Sequence, residues 1–359
     1  MRKKCILGLP ILISFLIVGC GNKEVVFTSK KLVVTVNKEY QLWDTFNASD
    51  ISVKYDGKEL LKEQYTVSLN DFSTKTTGTT RFTVALSYRP KVKKIIEVEV
   101  SKRSALSYLA IGNEYALDLV KYVNQFAGSD ENLDFSFSAL VKSGASLEDI
   151  NSSFLASKSD FTLYKYNKES QSWDVTEEQS IKTVLSERNN KFDVISLENN
   201  ALGAVDASHV ALLMPLISSM KSFVSMLGKR TPTIAWHETW AYKDSVAVDN
   251  MYYELFNNSQ QAMFNAIEEN VNYITSADFV IESGKLVQNA RASTLETSND
   301  FTRDNIHLDD KGAYLISLNL VSILSGYEPS HFPYRGEVVT EEEKAIVDEI
   351  ISQTLEEQP

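Results

Sequence analysis

Beyond Ser104 the chain repeats one unit, a short apolar run followed by an amphipathic stretch, and this alternation constrains the fold more than any other feature. Residues 106–111 read as a strand and residues 115–126 as a helix with Leu119, Val120 and Val123 on one face. Further strands are expected at 135–141, 192–197, 233–236 and 279–281. Helices are expected from about 146 and over 208–227, 250–274, 311–324 and 341–355. Strands joined through helices must run mainly parallel, and their sheet must be covered on both faces. Residues 104–359 therefore form an α/β domain, whose ligands belong beyond the carboxyl ends of the strands.

Residues 24–103 follow a different rule. Short alternating runs at 25–27, 32–36, 51–55, 65–69, 82–88 and 95–100 are separated by turn signals such as Asp56-Gly57 and Thr76-Thr77-Gly78-Thr79. Such spacing suggests a small all-β sandwich, which resembles the bacterial Ig-like modules of surface proteins. The two regions also differ in charge. Residues 23–104 carry 15 Lys and Arg against 10 Asp and Glu, whereas residues 105–359 carry 18 against 38. A basic module could face anionic polymers or serve as a solvated spacer. The acidic body argues against a nucleic-acid partner, whose phosphates it would repel.

Both cysteines of the sequence fall within the first 20 residues. Arg2, Lys3 and Lys4 form a positive n-region, and the apolar run from Ile6 to Val18 is too short to span a bilayer. Ile17-Val18-Gly19-Cys20 follows and resembles a bacterial lipobox. The resemblance implies a signal peptide over 1–19, a lipidated Cys20 with a linker to residue 23, and an extracytoplasmic, membrane-anchored protein. Cys5 would leave with the peptide, so cysteine catalysis and a thiolate metal site are not expected. The most apolar later stretch, 210–227, is interrupted by Lys221 and several Ser and Pro, and reads as a helix with one buried face.

Four blocks lie where strands should end: Ile111-Gly112-Asn113-Glu114-Tyr115, Ser143-Gly144-Ala145-Ser146-Leu147, Ser196-Leu197-Glu198-Asn199, and Thr302-Arg303-Asp304-Asn305-Ile306-His307-Leu308. An Asp-x-x-His segment lets one turn present a carboxylate and an imidazole together. In this order the blocks resemble the SGNH/GDSL hydrolase superfamily, and more closely a bacterial secreted branch known only as a domain of unknown function. Thr239-Trp240-Ala241-Tyr242 and Gln288-Asn289-Ala290-Arg291 add to the likeness, which covers about 105–327. The resemblance implies a three-layer α/β/α, flavodoxin-like fold and ester hydrolysis on acylated glycans. It gives Asp304 and His307 the acid and base roles and Gly144 an oxyanion-hole N–H.

Two positions depart from the pattern. Glu114 stands where the superfamily has its nucleophilic serine, and Glu198-Asn199 stands where an amide donor, commonly a glutamine pair, is usual. A glutamate has no hydroxyl to give up, and an ionised carboxylate repels an oxyanion. Losing a triad member lowers rates by roughly three to six powers of ten. The usual acyl-serine route is closed.

Three readings follow. If Glu114 and Glu198 converge with His307, one carboxyl should have a raised pKa, as a carboxylate-pair hydrolase requires. Glu114, Glu198, Asp304 and His307 could instead hold a hard divalent cation, although the resemblance implies no cofactor and no metal. Or Glu114 could simply cap the following helix, leaving a pseudoenzyme that holds a glycan. Trp240 and Tyr242 could form a sugar-stacking platform or pack the core. His237 could line the pocket or be a hydrogen-bonded core residue. Arg291 could orient Asp304, clamp an anion, or make a structural ion pair. Whether the chain is an enzyme is left open by the sequence.

Overall fold

The structure is a computed structural model that describes residues 31–243, 254–295 and 300–357. Cys20 and the leader, the run at 25–27, and the start of the helix expected from 250 lie outside the described residues. The first part of the chain forms seven strands: β1 (Leu32–Val36), β2 (Tyr40–Gln41), β3 (Ile51–Tyr55), β4 (Lys58–Glu59), β5 (Tyr65–Ser68), β6 (Gly78–Leu86) and β7 (Arg89–Ser101). They make two sheets, ordered β1-β3-β4 and β2-β7-β6-β5. Alternation along the strands turns Leu32, Val34, Ile51, Val53, Phe82, Val84, Leu86 and Ile96 into a shared core.

The remaining strands build one sheet. They are β8 (Ala105–Gly112), β9 (Asp134–Val141), β10 (Phe161–Asn167), β11 (Ser172–Gln179), β12 (Val194–Glu198), β13 (Thr233–His237) and β14 (Phe279–Ile281). Their order is β11-β10-β9-β8-β12-β13-β14. The five strands from β9 to β14 in that order pair in parallel, and β10 and β11 add an antiparallel edge hairpin. The parallel part has the 2-1-3-4-5 order of flavodoxin-like folds, with its switch point between β8 and β12.

The helices are α1 (Glu114–Val120), α2 (Val123–Gly128), α3 (Leu147–Ala156), α4 (Ile181–Ser186), α5 (Ala201–Ala204), α6 (Ala207–Met226), α7 (Gln260–Val271), α8 (Ser283–Arg291), α9 (Asp310–Ser325) and α10 (Glu341–Glu356). The pleat divides them. Leu109, Ile111, Leu140, Ile195, Leu197 and Ile234 face a core with α3, α4 and α6. Tyr108, Ala110, Phe135, Phe137, Ala139 and Ala235 face the core shared with α1, α2 and α7 to α10. Among the described residues α6 alone has the length and apolarity of a membrane span. It buries one stripe, Leu213, Leu216, Ile217, Met220 and Val224, against the sheet.

Three local expectations change. The single helix expected over 115–126 is two, because Ser317 of α9 inserts there: its hydroxyl donates to the Leu119 carbonyl (2.8 Å) and accepts from the Tyr122 N–H (3.2 Å). The helix expected from 250 starts anew at Gln260, capped by Ser259 after Asn257 and Asn258, both in the left-handed region (φ 51° and 55°). The β10–β11 hairpin and α8 have no counterpart among the elements read from the sequence.

The β-rich region is packed onto the α/β body. The Trp43 indole stacks on Phe279 (3.9 Å between centroids) and donates to the Ile323 carbonyl (2.9 Å). Buried Arg103 donates to the Leu42 carbonyl (2.7 Å) and bridges Asp44 and Asp193, both at 3.1 Å. These contacts meet the amino ends of β12 and β13, so the carboxyl ends remain for the site.

Candidate active site

The site is built at the switch point, where β8 and β12 diverge. β8 ends at Gly112, a position that must lack a side chain: a Cβ there would come within 2.1 Å of Glu198 Oε1. Asn113 follows as the cap of α1, accepting from the Tyr115 N–H (2.9 Å) and donating to the Ala145 carbonyl (3.1 Å). The second bond fixes the 142–146 turn against the start of α1, and Gly144 holds that turn in the left-handed region (φ 65°).

Glu114 is the first residue of α1, and its carboxylate turns toward this loop. Ser143 Oγ donates to Oε1, and the Gly144 N–H donates to Oε2 at 3.0 Å. Burial works against ionisation of Glu114. The Ser143 and Gly144 hydrogen bonds, its own N–H and the charge of nearby His307 outweigh it and hold the carboxyl below its usual range. The backbone donor assigned to an oxyanion is thus engaged by a carboxylate.

Across from Glu114, His307 and Asp304 form a dyad. His307 Nδ1 lies 2.7 Å from Asp304 Oδ2, and the backbone N–H groups of Ile306 and His307 donate to Asp304 Oδ1 (3.1 and 2.7 Å). Burial opposes the charge on Asp304, but these donors and the imidazole hold its carboxyl below the ordinary range. With Nδ1 fixed by the carboxylate, Nε2 is the nitrogen left to face a ligand, and among the described residues it has no hydrogen-bond partner.

Two residues not singled out from the sequence hold the two loops of the site, Asp118 the histidine loop and Asn200 the Gly144 turn. Asp118, one turn along α1 and almost fully buried, accepts from Arg303 Nη1 (2.7 Å) and from the Leu308 N–H (3.0 Å). Burial raises its carboxyl above the usual value despite both donors. The Asp118 position, four residues after Glu114 on a short helix, was the available signal. Asn200, just past Glu198-Asn199, donates to the Gly144 carbonyl at 3.2 Å. Ser143 lies within the second block and is a polar contact of Glu114 that spacing alone does not reveal.

The other anticipated residues lie beneath or beside this surface. Glu198, 2% exposed, accepts from the Asn113 and Ala116 N–H groups (2.8 and 3.1 Å) and pairs with His237 Nδ1 at 2.6 Å. His237 is fully buried and reaches Ser283 Oγ (3.0 Å) through Nε2, so it is a hydrogen-bonded core histidine. Desolvation raises the Glu198 carboxyl; His237 and the two N–H groups oppose that. Asn199 accepts from the Leu147 N–H (2.9 Å) and lies 3.1 Å from His209 Nδ1. Trp240 and Tyr242 are buried rather than presented as a platform, and the Trp240 indole pins the histidine loop through the Ile306 carbonyl (2.6 Å). Arg291 pairs with Asp300 (3.1 Å) and donates to the Ala241 carbonyl, making it a structural ion pair away from Asp304.

The structure therefore brings together Glu114, Ser143, Gly144, Asp304 and His307, and separates Glu198 from them. Its carboxylate is committed to the backbone and His237 below α1, so no Glu114–Glu198 acid/base pair faces a ligand. Among the described residues no group of three or more His, Cys, Asp or Glu side chains is arranged to hold a metal ion.

Fold and site together define a flavodoxin-like α/β protein carrying an Asp–His dyad near the Glu114 carboxylate. The chain belongs to the DUF4886 family, a domain of unknown function whose model matches residues 107–351. It is similar to the crystal structure of a DUF4886 family protein from Bacteroides uniformis, with a TM-score of 0.62 at 20% identity, covering 71% of this chain and 96% of that one. A putative SGNH hydrolase from Slackia heliotrinireducens is similar at a TM-score of 0.40 and 13% identity (62% and 100% covered). An acetyl xylan esterase, AlAXEase, is similar at 0.36 and 10% (59% and 96%). No curated protein matches the sequence.

Proposed function

We propose that the protein is a lipid-anchored, extracytoplasmic glycan-binding relative of SGNH-type ester hydrolases, disarmed for serine catalysis. The observation that carries this reading is the Glu114 carboxylate accepting from Ser143 Oγ and the Gly144 N–H. Ester hydrolysis needs a hydroxyl for the imidazole to deprotonate and free donors for the oxyanion. Here the nucleophile position carries no hydroxyl, and the donor and the neighbouring serine are spent on a negative charge. The polarity of the site is inverted: it accepts hydrogen bonds where an esterase donates them. Sugar hydroxyls, which donate to carboxylates, suit this arrangement better than an ester carbonyl. His307 Nε2 and the half-exposed Asp304 carboxylate supply further polar contacts.

The test compares residues 21–359 with Glu114→Ser, Ser143→Ala and His307→Ala on acetylated glycans and a chromogenic acetate, alongside binding to the same glycans. The expected result is glycan binding without wild-type turnover, and ester hydrolysis gained in Glu114→Ser. Robust wild-type turnover abolished by His307→Ala would overturn the disarmed reading. Loss of that turnover in Ser143→Ala would make Ser143 the nucleophile.

A further inference from the structure

A cavity of about 320 Å³ lies at the seam between the β-rich region and the α/β body, at the amino ends of β12 and β13. It is at the opposite end of the parallel strands from Glu114, with the length of β12, five residues or about 16 Å at ~3.3 Å per residue, between the two ends. Its volume falls within the range of small-molecule sites. Apolar walls come from Trp43 of one region and Leu185, Phe192, Ile195 and Val224 of the other.

The charges around the cavity are unequally paired. Its two acids are neutralised: Asp44 binds Lys38 (2.9 Å) and Arg103, and Asp193 binds Arg103 and the Ser107 N–H. Arg230 is paired with Asp50 (3.0 Å). Among the described residues the other two cations, Lys191 and Lys229, have no carboxylate within ion-pair distance. Lys229 Nζ donates to the carbonyls of Leu185, Glu187 and Asn190 (2.6, 2.6 and 2.9 Å), and Lys191 has no hydrogen bond or ion pair among the described residues. Nearby, the Glu187 carboxylate accepts from Asn190 Nδ2 (2.8 Å). Burial and the like charge of Lys191 together hold the Lys229 ammonium below its usual range, with Glu187 opposing.

We propose that this cavity binds an organic monocarboxylate with an apolar body, its carboxylate accepting from Lys191 in the field of Lys229, whose three N–H groups are held by backbone carbonyls, and its hydrocarbon against Trp43, Phe192 and Val224. A neutral molecule of the same shape would fill the walls and leave the two ammonium groups repelling each other. Because the site spans both regions, an occupant also ties them together and stabilises the folded chain by mass action.

Octanoate is the probe, with octanol as its neutral counterpart. Octanoate should raise the melting temperature with concentration and perturb tryptophan fluorescence, the latter signal disappearing in Trp43→Phe. Octanol should bind at least about tenfold more weakly, the scale of one lost charge-assisted hydrogen bond. Lys191→Ala, at an exposed position that leaves the fold intact, should weaken octanoate by a similar factor, and Val224→Phe should exclude it. Glu114→Ala should leave octanoate binding unchanged, which keeps this test separate from the glycan reading. Equal binding of octanoate and octanol, undiminished affinity in Lys191→Ala, or no saturable binding at millimolar octanoate would each overturn the proposal.

Discussion

The rim and the floor of the candidate site each hold a glutamate close to the start of α1, and the two are treated in opposite ways. At the rim, Glu114 accepts from Ser143 and Gly144, feels His307, and is held more acidic than usual. On the floor, Glu198 has two backbone donors and an imidazole, yet burial raises its carboxyl. The number of hydrogen bonds does not decide the direction; access to water does. The contrast assigns the roles. Glu198 holds β8, α1 and β13 together, and Glu114 presents charge to whatever enters the site.

The largest effect expected of breaking this contrast is chemical. Glu114→Ser removes the rim charge, frees the Gly144 N–H and sets a hydroxyl opposite His307, so hydrolysis of a chromogenic acetate should rise at least about a thousandfold over wild type. That is the low end of what a missing triad member costs. Adding His307→Ala should return it to background.

On the floor the loss is structural. Glu198→Ala strands the Asn113 and Ala116 N–H groups and His237 without an acceptor, and should cost about 3–5 kcal/mol in denaturant unfolding. Glu114→Ala, at a half-exposed position, should cost far less. Comparable losses for the two would remove the distinction between rim and floor.

Gly144→Ala probes the turn that supplies the rim donor. A Cβ there meets nothing within 4 Å, so only the left-handed backbone resists, at about 1–2 kcal/mol.

The smallest effect is the pH slope. Glu114 has a lowered folded pKa, so its stabilisation is present above the unfolded value, about 4.3, and is lost as pH falls through the folded one. Wild type should therefore lose its margin over Glu114→Gln in acid. Glu198 has a raised folded pKa, so the native state binds more protons than the unfolded chain between the two values, and stability falls as pH rises through that window. The wild-type margin over Glu198→Gln should widen as pH falls there. Slopes of the same sign, measured by chemical denaturation across pH, would contradict the assignment.

Much of the fold was legible because it is written in local periodicity. The parallel strands from 105 onward and the long helices near 207, 310 and 341 each carry their own apolar pattern. The β10–β11 hairpin is also locally signalled, by alternation over 161–166 and the polar turn at 167–170, but it interrupts the strand–helix rhythm that marks the rest of the region. The break after Val120 could not be read locally, since Ser317, which causes it, lies almost 200 residues away. Asp304 and His307 were legible because only two residues separate them. Asp118 and Asn200 were not, because their partners Arg303 and Gly144 are brought to them by the sheet.

By itself the sequence determined the α/β class of the larger region, the all-β character of the smaller one, and a carboxylate, Glu114, just past the first strand of the larger region. Side-chain type and spacing suffice for those. Only the tertiary structure decided that Glu114 rests on the Ser143–Gly144 donors while Glu198 is buried with His237, although both are carboxylates at strand ends. A carboxylate's chemistry depends on which donors and how much water surround it, and those are set by segments that meet only when the sheet assembles.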